Sequence, residues 1–219
     1  MSTLVNFAFI SFGSFVFSFI LWKKLKEDYE SKNIFWLGWI LLLSSAVGYS
    51  VGNFLSPFRF WISLLFALVF GTLTVKKIDF KPFELINALV PAWMSFLFIT
   101  NLGSYLSSTS HTSLQTLTLV IAPLAFLMYI FFLKKYRSFS WYPSGRVGFP
   151  GLASLGIYFL FRSVAIYLIF MLPFFYNQKP GIFEWVDIGI SLVLTLSLWV
   201  TLYLRSGRNL ANKLNIWQK

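Results

Sequence analysis

The chain contains no cysteine, a single histidine and only seven acidic residues among 219. The missing cysteine excludes disulfides, thiolate metal sites and cysteine nucleophiles. The lone histidine, His111, has no neighbouring Asp or Glu, so it makes neither a metal site nor a catalytic triad. Charged residues are scarce at 11%, against about 25% in a soluble domain. That is too little polar surface to cover a water-facing globule. What fills the chain is hydrocarbon: 58% of residues are hydrophobic and 21% aromatic, with 27 Phe and 9 Trp. Phe suits lipid-facing and helix-packing positions, while Trp and Tyr favour the headgroup zone.

The apolar residues gather into seven runs, about 4–22, 34–54, 60–75, 84–106, 114–133, 151–175 and 184–204. A helix rises about 1.5 Å per residue, so roughly 20 residues cross the hydrocarbon core. The expectation is an all-α polytopic membrane helix bundle, a single transmembrane domain over 1–219 with about seven spans. The third run is short, so it either crosses with mismatch or re-enters. The first run lacks a basic stretch before it, so it reads as a span rather than a cleavable signal peptide.

Acidic residues are few and the net charge is +11, but the Lys and Arg sit in short tracts between apolar runs. That placement suits membrane topology and anionic headgroups and excludes a nucleic-acid-binding domain. Lys23, Lys24, Lys26 and Lys32 follow span 1, Lys76, Lys77 and Lys81 follow span 3, and Lys134, Lys135, Arg137 and Arg146 follow span 5. The tail carries Arg205, Arg208, Lys213 and Lys219, while the alternate loops hold only Arg59 and Lys179. Fifteen cations against two put the N-terminus outside and the C-terminus in the cytoplasm. Removing any span destroys the alternation, so the short third run is expected to cross.

Polar groups inside a bilayer each ask for a reason. Arg162, near the middle of span 6, must face the bundle interior, a polar cavity or a lipid phosphate. Its forked guanidinium binds phosphate or carboxylate in a bidentate way. Two readings stay open: functional anion binding, or a structural Arg satisfied by carbonyls or an acid. Tyr158 lies one turn earlier on the same face. Span 4 carries Glu84 at its start, where an acid complements the helix dipole. It also carries Asn87, able to hydrogen-bond a neighbouring helix, Pro91, which frees backbone carbonyls, and Asn101 near its outer end. His111 stands in a hydroxyl-rich outer loop, either as an exposed loop residue or as a single general base. Segment 144–151, with Arg146, reads as a helix-starting turn with its cation at the headgroups; it lacks the preceding strand that a nucleotide-binding loop needs.

The order of these features resembles the prolipoprotein diacylglyceryl transferase family of bacteria along nearly the whole chain. Span 1 followed by Trp22-Lys23-Lys24-Leu25-Lys26-Glu27-Asp28-Tyr29 is similar to that family's first helix and basic loop. Ser45-Ala46-Val47-Gly48-Tyr49 is similar to the end of its second helix, and the stretch from Phe80 to Ala92 to the segment leading into its signature. Gly156-Ile157-Tyr158-Phe159-Leu160-Phe161-Arg162 resembles its penultimate-helix motif. The departures are specific. The family's His-Gly-Gly is replaced near Phe60-Trp61-Ile62-Ser63, its signature Arg position reads Asn101, and its acid four residues after the penultimate-helix Arg falls at Ile166.

The resemblance implies seven spans with the N-terminus outside, in the bacterial cytoplasmic membrane. It implies a diacylglyceryl transferase that moves a lipid group from a phosphatidylglycerol-like anionic phospholipid to the cysteine of a lipobox-containing preprotein. No cofactor or metal is implied. Arg162 would hold phosphate and His111 would serve as base, with Tyr158, Asn101, Asn87 and Arg146 as substrate contacts. The alternative is a non-catalytic phospholipid-binding or assembly protein on the same scaffold. A transporter or channel is weaker, since the sequence offers no paired intramembrane acids and no acidic ring.

Overall fold

A computed structural model describes residues 2–107, 113–135, 147–171 and 181–206. Every regular element in these residues is helical. The helices are α1 (Ser2–Leu25), α2 (Ser31–Val51), α3 (Arg59–Ile78), α4 (Pro82–Ser107), α5 (Ser113–Lys135), α6 (Phe149–Met171) and α7 (Ile182–Arg205), with a 3-10 segment Gly52–Phe58 joining α2 to α3. Six of them, all but α5, are long and apolar enough over their described residues to cross a membrane. The seven-helix expectation therefore holds. The third run, short in sequence, becomes a 20-residue helix, about 30 Å long and sufficient to span.

Contacts between helices fix their directions. Asn6, Phe9, Gly13 and Phe17 of α1 meet Ser104, Gly103, Ile99 and Phe96 of α4 in descending order, which is an antiparallel register. Leu41, Ser45 and Gly48 of α2 likewise meet Gly71, Ser63 and Ile62 of α3. In α6 and α7, Arg162 pairs with Asp187 and Gly156 with Thr195. By contrast α4 and α6 run parallel, with Asn87 beside Gly151 and Trp93 beside Tyr158. Helix α4 is the hub, packed on α1, α5 and α6. Basic last turns close α1, α3, α5 and α7. Cations there complement the negative helix end and gather on one side of the bundle, the side expected from the charge pattern to face the cytoplasm.

Two local solutions hold the hub in place. Pro91 has no N–H, so the Asn87 carbonyl one turn earlier loses its helical partner. The Tyr129 hydroxyl of α5 donates to that carbonyl at 2.8 Å, meeting the need a proline creates in hydrocarbon. At the cytoplasmic end, Asp79 adopts the left-handed conformation (φ 60°) that ends α3, as Asp tolerates, and Pro82 starts α4. The Tyr29 hydroxyl donates to Glu84 Oε2 and accepts from the Lys81 N–H, both at 3.0 Å, and Lys81 Nζ lies 3.3 Å from Glu84 Oε1. Glu84 thus has the structural place its position at a helix start suggests. The hydrogen bond and charge of Glu84 raise the Lys81 pKa, and burial raises that of Tyr29.

Candidate functional site

Arg162 is buried, and its fork closes on a carboxylate from the next helix. Nη2 donates to Asp187 Oδ2 at 2.6 Å and Nε to Oδ1 at 3.2 Å, a bidentate pair. Trp61 of α3 donates its indole N–H to the same Oδ1 at 3.1 Å, and the Ser191 hydroxyl reaches it at 3.5 Å. The guanidinium lies 4.3 Å from the Phe60 ring centre and 5.6 Å from Trp61, so its faces meet π-electrons rather than alkane. Trp61 stacks on Phe159, Phe60 on Trp93, and Trp93 meets Tyr158 edge-on. The Tyr158 phenol faces Arg162 from the preceding turn.

This packing answers an energetic demand. A cation in hydrocarbon costs several kcal/mol, on the order of 3 on insertion scales. A matched acid, two direct hydrogen bonds and aromatic walls offset much of that cost. The cluster lies toward the outer side: Asp187 is five residues inside α7 from Ile182, about 8 Å. Helix α3 joins α6 and α7 here through long side chains, Trp61 above all.

The other sequence-derived candidates do not gather around Arg162. Asn87 is occupied at both ends: its Oδ1 accepts the Gly151 N–H at 2.9 Å, capping the first turn of α6, and its carbonyl takes the Tyr129 hydroxyl. Its place is that of a tie between α4, α5 and α6. Asn101 stands half-buried on α4, with no hydrogen bond to Arg162 among the described residues. His111 and Arg146 lie outside the described residues. Ile166, the position of the expected acid, is a buried core residue. The acid beside Arg162 comes instead from Asp187, a residue the sequence patterns do not single out. Its one signal is a carboxylate three residues inside the run 184–204, and only the register of α6 on α7 turns that signal into a pair.

No protein-family model, curated sequence or solved structure matches this chain. The chemistry of the cluster must therefore be read from its own atoms. As it stands, the carboxylate already saturates one edge of the guanidinium. A phosphate arriving at Arg162 would have to displace Asp187 or use only the remaining N–H groups. The second cation that would share a phosphate's charge is absent where Asn101 stands. The arrangement suits a charge-neutral internal tie between α3, α6 and α7.

Proposed function

We propose that this chain is a multi-pass protein of the bacterial cytoplasmic membrane that binds anionic phospholipid without catalysing diacylglyceryl transfer. The observation that carries this reading is the bidentate Arg162–Asp187 pair. Transfer from a phospholipid needs cationic groups on the phosphate as the leaving group departs, and a base for the acceptor thiol. A guanidinium engaged with its own carboxylate is poorly disposed for the first task. What supports phospholipid association is the concentration of fifteen Lys and Arg on the cytoplasmic side, where anionic headgroups attract them.

One observation favours the second reading, a divergent diacylglyceryl transferase. The family resemblance calls for an acid beside the penultimate-helix Arg, and Asp187 supplies one from α7. Complementation separates the two. In a bacterial strain depleted of its own prolipoprotein diacylglyceryl transferase, the chain is expected to give no rescue, while phosphatidylglycerol co-purifies with it. Rescue that vanishes on Arg162→Ala, with the variant protein still present in the membrane, would overturn the non-catalytic reading.

A further inference from the structure

Helices α2 and α3 form an antiparallel hairpin with a groove at its basic end. At its outer end an added Cβ on Gly48 would meet the Ser63 backbone and the Ile62 carbonyl at 2.9 Å, so the two backbones touch. Near mid-span the approach at Gly71 is to the Leu41 side chain instead. At the cytoplasmic end the helices border an open groove of about 770 Å³, walled by Lys32, Trp36 and Trp39 of α2 and by Lys77 of α3. That volume lies within the range of small-molecule sites, about 300–1,000 Å³.

The residues grade with depth. Lys32, Trp36 and Trp39 are spaced four and three apart and share one face of α2. The tryptophans lie about 6 and 10 Å deeper than Lys32, at the level where indoles favour the headgroup boundary. Deeper still, the same face continues with exposed Leu43 and Val47, and on α3 exposed Leu73 lies one turn below Lys77. The groove is therefore cationic at its mouth, amphipathic in its walls and continuous with an aliphatic outer surface.

The two lysines have no internal explanation of equal strength. Lys77 complements the negative end of α3, but Lys32 stands in the first turn of α2, where the helix dipole disfavours a cation. The turn itself carries no acid, and the nearest one, Glu30 at the N-cap, forms no salt bridge with Lys32. Among the described residues the salt bridges are Lys81–Glu84 and Arg162–Asp187, and neither involves Lys32 or Lys77.

We infer that this groove is a binding site for an anionic phospholipid of the cytoplasmic leaflet. The headgroup phosphate lies between Lys32 and Lys77, the glycerol region against Trp36 and Trp39, and the acyl chains along the Leu43 and Leu73 surface. A free phosphate would use the lysines but not the apolar walls. The inference deepens the phospholipid-binding reading and rests on it. It places the lipid at the opposite end of the bundle from Arg162.

Native mass spectrometry of the full chain in detergent tests the site. The probes are phosphatidylglycerol, phosphatidylcholine and inorganic phosphate. The expected result is a phosphatidylglycerol preference over phosphatidylcholine that drops at least about tenfold in Lys32→Glu/Lys77→Glu, since each lysine near the surface attracts an anionic headgroup. Lys32→Arg/Lys77→Arg should keep it. Should the charge-reversed protein misfold, Lys32→Gln/Lys77→Gln carries the same expectation of loss at smaller size. A charge-reversed or neutral variant that folds and keeps the full preference overturns the groove and leaves phospholipid binding intact. Displacement of the lipid by millimolar phosphate overturns the lipid as occupant. A wild-type chain with no preference for phosphatidylglycerol overturns both the groove and the phospholipid reading beneath it.

Discussion

In the outer half of the bundle, Arg162 is buried against Asp187, Trp61 and Phe60. At the cytoplasmic end of α2 and α3, Lys32 and Lys77 stand exposed at the mouth of a groove, neither in an ion pair among the described residues. The difference follows from depth. A charge inside hydrocarbon must bring its counter-charge from the protein, because none is available from solvent. A charge at the headgroup level can leave that task to lipid and water. The first region is thereby committed to holding helices together, and the second remains available to a ligand.

The largest effect should come from breaking the closed region on one side only. Asp187→Asn leaves a buried guanidinium without its counter-charge. The expected loss is about 3–5 kcal/mol, seen as a lowered thermal unfolding midpoint in detergent. Replacing both partners, as in Arg162→Met/Asp187→Leu, should recover most of that loss, because an apolar pair of similar volume removes the need for matching. If Asp187→Asn unfolds at the wild-type temperature, Arg162 finds its counter-charge elsewhere, and the contrast between the two regions collapses.

A second change attacks the packing that positions the closed region. A Cβ on Gly151 would meet the Ile86 carbonyl and Asn87 Oδ1 at 2.9 Å. The first of these is backbone and cannot swing away. Gly151→Leu should therefore push α6 off α4 and strip the Asn87 cap, costing about 1–3 kcal/mol. The measurement is again the unfolding midpoint, with Gly189→Leu as a control, since an added Cβ there meets nothing within 4 Å.

The smallest effect belongs to the cytoplasmic side. Lys81 is raised by Glu84, and Tyr29 is raised by burial. Both groups hold their protons more tightly folded than unfolded. Their contribution is complete below about pH 10 and fades as pH rises through the folded values. Unfolding followed from pH 8 to 11 should show a shallow decline confined to the top of that range. Tyr29→Phe/Lys81→Gln should flatten it, while Asp187→Asn should leave its shape unchanged.

Much of the architecture is legible before any coordinates. The runs of apolar residues locate the helices to within a few residues because each must cover the same hydrocarbon thickness. The basic tracts fix the sidedness, and they also require the short run at 60–75 to cross, as helix α3 is long enough to do. The polar residues are less legible. Arg162 announces itself as a problem to be solved, but two solutions, an anion or an acid, fit the same fork. Asn87 reads as a helix-bridging residue, while its partners, the Gly151 N–H and the Tyr129 hydroxyl, come from segments 64 and 42 residues away.

The sequence by itself determined the solvent of this protein and the alternation of its basic tracts, since hydropathy and cation placement act span by span and need no knowledge of neighbours. Only the tertiary structure decided what the intramembrane charge does. The antiparallel register of α7 on α6 carries Asp187 to Arg162 across 25 residues of chain, and the packing of α2 beside α3 sets two lysines along one groove. Pairings of that kind depend on how helices pack, and packing is a property of surfaces in contact rather than of any one run of residues.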